Sequence, residues 1–160
     1  MQIRLATALI ASILAGCASQ SPDTPVQRSA EKNGRAESNA QSQSNANTLD
    51  GYKRDLAMRI SQMNSNKVYS GRPQALLRSV VVLRYAVDEH GQLVRSEIMR
   101  SNRDRETEKI ALATLQNSAP FPKPASHLVR NGRLDISETW LFNNDGRFQL
   151  RTIAEPQMDR

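Results

Sequence analysis

From Ala18 to Asn47 the chain holds one large aliphatic residue, Val26, and no aromatic residue. The tract is Ser, Gln, Asn, Ala and Pro with scattered charge. Such a segment cannot bury enough apolar surface to offset the entropy of ordering it. It is expected to stay disordered, as a tether with a span of roughly 30 Å for thirty residues. Any hydrophobic core must therefore come from residues 49–160, enough chain for one small domain. Cys17 is the only cysteine, so no disulfide can help that domain, and its core has to be an ordinary apolar one.

Ahead of the tether, Arg4 and the amino terminus supply a positive start. Leu5, Ala6, Ala8, Leu9, Ile10, Ala11, Ile13 and Leu14 supply an apolar centre, followed by Ala15-Gly16-Cys17. This is the layout of a secretory signal with small residues at its cleavage point. The run is too short for a membrane span, which needs about 20 apolar residues. Leu14-Ala15-Gly16-Cys17 resembles the lipobox of bacterial lipoproteins. The resemblance implies that Cys17 carries lipid and becomes the first residue of the mature chain. It also implies anchoring to a membrane by acyl chains, each buried methylene contributing about 0.8 kcal/mol. The residue after Cys17 is Ala18 rather than the Asp that retains such proteins in the inner membrane. That points to the outer membrane, facing the periplasm.

Residues 1–16 are thus read as a signal peptide, 17–48 as tether, 49–155 as the domain and 156–160 as a loose tail. Within the domain, Thr48 or Asp50 caps a predicted helix near Gly51. Tyr52, Leu56, Ile60 and Met63 lie on one face, and Asn64 to Asn66 end it. Residues 78–88 alternate as a strand: Val81, Leu83, Tyr85 and Val87 on one side, Val80, Val82, Arg84 and Ala86 on the other. Asp88-Glu89-His90-Gly91 is a turn, and residues 93–100 return as a second strand with Val94, Ile98 and Met99. Asp104 caps a second helix whose buried stripe is Ile110, Ala111, Leu112, Ala113 and Leu115. It ends before Pro120. Residues 133–142 form a third strand with Leu134, Ile136, Trp140 and Phe142 on one face. After the turn Asn143 to Gly146, residues 147–153 offer a short fourth. The order α-β-β-α-β(-β) predicts an α+β two-layer sandwich: a small antiparallel sheet of three to four strands with two helices on one face.

Several local details resemble the C-terminal domain of the TonB and TolA family of energy transducers. They are the strand Val80 to Asp88, the turn at Gly91, Ile98-Met99-Arg100-Ser101, the helix with Ile110-Ala111-Leu112, and Ala119-Pro120-Phe121-Pro122-Lys123-Pro124. The proline segment is the most specific of them, and the likeness covers residues 52–142. It implies a periplasmic module that binds an envelope protein by adding a strand at a sheet edge, where unpaired N–H and C=O groups await a partner. The candidate edge is the C-terminal part: Trp140, Leu141, Phe142, Phe148 and Leu150. Trp140 serves there either as core or as floor beneath a docked peptide. The transducers carry a membrane-spanning helix coupled to a motor. A lipid anchor in its place argues against direct energy transduction.

Lys plus Arg number 22 against 16 for Asp plus Glu. In an exported chain such a surplus points away from nucleic acid. It suits peptidoglycan, anionic lipid or an acidic protein, or simply a solvated surface. Arg100, Arg103 and Arg105 are the candidate anionic contacts. They support an alternative reading as a structural envelope lipoprotein. His90 falls in a turn and His127 in a loop, with no nucleophile–base motif, Gly-rich phosphate loop or metal-ligand spacing around them. No enzyme activity, catalytic residue, cofactor or metal is expected. An open edge is also compatible with a strand-swapped homodimer.

Overall fold

A computed structural model describes residues 42–159. Cys17 with its lipobox Leu14, Ala15 and Gly16, and most of the tether, lie outside the described residues. The architecture is α+β, as the order of elements predicts. Helix α1 spans Leu49–Met63 and α2 spans Arg105–Asn117. Strands β1 (Ser79–Asp88), β2 (Leu93–Arg100), β3 (Arg133–Phe142) and β4 (Phe148–Leu150) form one antiparallel sheet in the order β2-β1-β3-β4.

β1 and β3 pair without interruption over ten residues, from Ser79 opposite Phe142 to Asp88 opposite Arg133. This register puts Val81, Leu83, Tyr85 and Val87 on the same face as Leu134, Ile136, Trp140 and Phe142. All eight are buried beneath the helices. Tyr52, Leu56 and Ile60 of α1 and Ala111 and Leu115 of α2 close the core from the other side, with Phe148 and Leu150 of β4. Phe121, from the proline segment, stacks on Tyr85 at 6.2 Å between ring centres. Its backbone N–H donates to Gly91 O in the β1–β2 turn at 2.8 Å. That turn is held by Asp88, whose carboxylate accepts from the N–H groups of His90 and Gln92. Gly91 takes the positive φ the turn needs.

The helices start where their caps allow. Thr48 accepts from Gly51 N at the head of α1, and Asp104 accepts from Glu106 N and Thr107 N at the head of α2. Their far ends meet in a buried polar cluster. Asn64 Nδ2 donates to Ile60 O (2.8 Å), Thr114 O (3.1 Å) and Ser118 Oγ (3.1 Å). Trp140 Nε1 donates to Thr114 Oγ1 at 3.1 Å. The cluster joins α1, α2 and β3 and supplies the partner a buried indole N–H requires.

Four expectations change. Met63 is exposed, and Asn64 one residue later takes the buried place. The buried face of α2 is Thr107, Ala111, Thr114 and Leu115, while Ile110, Leu112 and Ala113 are only half-buried. The domain begins earlier than residue 49, because Ser42 to Ser44 pair with Lys123 and Ser44 Oγ donates to Asp55 at 2.5 Å. The C-terminal segment is fastened rather than loose: Arg72 donates to Pro156 O and Gln157 O, and Met158 N donates to Pro73 O.

Replacing Asn64 with Ala removes three buried hydrogen bonds from the cluster. The expected cost is about 2–3 kcal/mol, seen as a fall of roughly 10 °C or more in Tm. A thermal melt that does not move would contradict this role for the cluster.

The two edges of the sheet

A sheet has two edges, and the strand order assigns them to β2 and β4. The candidate edge expected from the sequence therefore needs correction. Trp140, Leu141 and Phe142 lie on β3, an inner strand paired on both sides. Trp140 and Phe142 have no solvent exposure, and neither do Phe148 and Leu150 on β4. The core reading of Trp140 is the one the structure bears out. The hydroxyl that receives its N–H sits on α2, between the layers.

β4 is the outer strand on that side, yet its outward carbonyls are already engaged. Phe148 O accepts from Tyr69 N at 2.9 Å, in a parallel bridge with Val68. Leu150 O accepts from Ile153 N and Ala154 N at 3.0 and 2.9 Å. Gln149, buried opposite Leu141, donates to Tyr69 O at 2.9 Å and to Gly71 O. The segment after α1 and the turn after β4 thus cover this edge, which is one way proteins protect an outer strand.

A buried carboxylate helps hold that turn. Glu138 occupies the core-facing slot between Ile136 and Trp140 on β3 and is almost fully buried. It accepts from Thr139 N at 2.7 Å and from the hydroxyl and backbone N–H of Thr152. Burial raises its pKa above the ordinary value, against the lowering effect of those hydrogen bonds and of Lys53 on α1. Tyr85, whose own pKa is pushed up chiefly by burial, lies near it.

The β2 edge is different. Among the described residues no backbone hydrogen bond reaches Leu93–Arg100 except from β1. Val94 is 55% exposed, Met99 48% and Ile98 37%. The β1–β2 register shifts twice, between Val82 and Leu83 and between Ala86 and Val87. Between those two irregularities Arg95, Ser96, Glu97 and Ile98 pair regularly with Ala86, Tyr85, Arg84 and Leu83. On the sheet face away from the helices, Arg95 reaches across Ala86 to Asp135 at 2.7 Å, and Arg84 lies 3.9 Å from Glu97. The Arg95 guanidinium holds the Asp135 carboxyl below its ordinary range. The signal that separates the two edges was present in the sequence only as the missing alternation of β2, where six of eight residues are exposed.

Arg100, Arg103 and Arg105 come together at the corner between β2 and α2, all exposed. Acidic residues interleave with them. Arg78, just ahead of β1, takes Asp104 at 2.9 Å and Glu106 at 2.5 Å. Asp104 is held below its usual pKa first by the N–H of Thr107 and then by Arg78. None of the three corner arginines has an ion pair of its own among the described residues. His127 sits with Nε2 2.9 Å from Asn47 O, and His90 lies beside Glu89. The described residues contain no group of three His, Cys, Asp or Glu able to hold a metal ion, and no helix long and apolar enough to cross a membrane.

No family model, curated protein or solved structure matches the chain.

The Glu138 geometry generates a pH prediction. A carboxyl whose folded pKa is raised above its ordinary 4.5 makes the native state bind the proton more tightly. Its contribution to stability is full below that value and is lost as pH rises through the folded pKa. Glu138→Gln abolishes this loss. The stability difference between variant and parent should move in the variant's favour as pH rises above 4.5. Parallel denaturation profiles above that pH would refute it.

Proposed function

We propose that the chain is a membrane-tethered periplasmic binding module of the TonB and TolA type. It engages an envelope protein by strand addition, and the strand it offers is β2. The observation that carries this reading is the asymmetry of the sheet: β4 has its outward carbonyls taken by the chain itself, while β2 has no backbone partner on its outer side among the described residues. An extended segment laid along β2 gains main-chain hydrogen bonds, and its alternate side chains meet either Ile98 or the charged row of Arg95 and Glu97. The two register shifts limit how long a regular pairing can be, which favours a short peptide over open-ended association. Lipidation of Cys17, the outer-membrane location and the lack of direct energy transduction belong to this reading through the lipobox and the tether.

A second reading draws on the corner arginines. With Asp104 and Glu106 occupied by Arg78, Arg100, Arg103 and Arg105 form a cationic corner suited to peptidoglycan or anionic lipid. Its attraction would be screened within about 10 Å at ordinary salt.

A photoreactive residue at Val94, and separately at Arg103, separates the two in living cells. Strand addition predicts a discrete foreign protein trapped from Val94. That capture should persist in high salt and disappear with Ser96→Pro, which removes a backbone donor from the middle of the edge. Glycan or lipid adducts from Arg103 with none at Val94, lost at high salt, would replace it with the second reading.

A further inference from the structure

The regular part of β2 is self-complementary in its charge. Between the two register shifts Arg95, Ser96, Glu97 and Ile98 pair regularly with β1, and about Ser96 the order is cationic, small, anionic. We infer that the β2 edge pairs with β2 of a second copy of this chain, antiparallel, about a two-fold axis normal to the sheet through Ser96. This rests on the reading of β2 as the open edge and names an occupant for it that competes with a foreign strand.

Such an axis keeps each sheet face on its own side, so residues of one face meet residues of the same face. Arg95 and Glu97 both project from the charged face, as their partners Ala86 and Arg84 do. The axis sets Arg95 of each copy opposite Glu97 of the other, giving two opposite-charge cross-strand pairs where like charges would repel. Ile98 lies opposite Leu83, on the helix face. Val94, which the register passes over between Arg95 and Leu93, stands at the end of the contact, beside Ile98 of the second copy. Ser96 meets itself at the centre, where a small side chain avoids a clash. A shift of the pairing by one residue in either direction loses this arrangement, setting Arg95 opposite Ser96 or opposite Ile98. So short a pairing makes a small contact, so the dimer is weak and is read by trapping rather than by chromatography.

Ser96 at the axis supplies the assay. Opposite Cβ atoms in an antiparallel pair lie about 4.5–5.5 Å apart, so Ser96→Cys in the full chain should give a dimer with a short bis-maleimide. The chain with Cys17 alone serves as the control. In the Ser96→Cys background, Arg95→Glu or Glu97→Arg alone should cut the trapped dimer by about tenfold, because each sets like charges opposite one another twice. Mixing the two variants should restore it, because every Glu then faces an Arg. That rescue also separates the interface from any loss of the Arg95–Asp135 pair within one copy. No trapped dimer from Ser96→Cys, or reversals that leave it unchanged, would overturn the inference. In that case a foreign protein still trapped at Val94 leaves the strand-addition reading standing, and an empty Val94 removes both.

Discussion

The ten-residue pairing of β1 with β3 is the constraint on which the rest of the molecule depends. Both strands are inner strands, so their backbone groups are satisfied on both sides. Their alternating side chains define at once which face is core. With Val81, Leu83, Tyr85 and Val87 in register with Trp140, Glu138, Ile136 and Leu134, the two helices have only one apolar surface to cover. The outer places fall to β2 and β4, which are distinguished by what the chain can lay over each. Residues 68–71 and 151–154 follow α1 and β4 closely enough to cover the β4 side, and no described segment does the same for β2.

Polar groups inside this small core are not incidental. Asn64, Thr114, Ser118 and Trp140 satisfy one another where the helix ends are buried, and the penalty for orphaning any of them makes their mutual orientation specific. Glu138 is a different case. It spends a core-facing position on a carboxylate that burial makes harder to ionise, in return for holding the turn that closes the β4 edge.

Much of the architecture was legible because the core strands alternate cleanly. The β1 pattern, the Asp88 to Gly91 turn, the Asp104 cap and the stop at Pro120 each follow from local chemistry, and each stands where that chemistry puts it. The C-terminal strands expected as an open edge are interior or covered, because edge status is not a local property. Nothing in residues 140–150 themselves marks β3 as an inner strand. The chain runs β4 back along β3 and seals it with residues from far earlier in sequence. Met63 and Ile110 were assigned to the core by helical spacing alone, and the cluster around Asn64 displaced one while the position of α2 over the sheet left the other half-covered.

By itself the sequence determined the elements, their order and which strand faces are apolar, since these rest on periodicities of two and 3.6 and on residues that start or stop a segment. It also set the symmetric order of charge about Ser96 in β2. The tertiary structure alone decided that β3 is interior, that the β4 carbonyls are spent, that Arg78 takes the acids from the corner arginines, and that no described segment covers the outer side of β2. Those outcomes depend on contacts between residues up to some eighty positions apart, such as Gln149 with Tyr69, and no local pattern encodes such a distance.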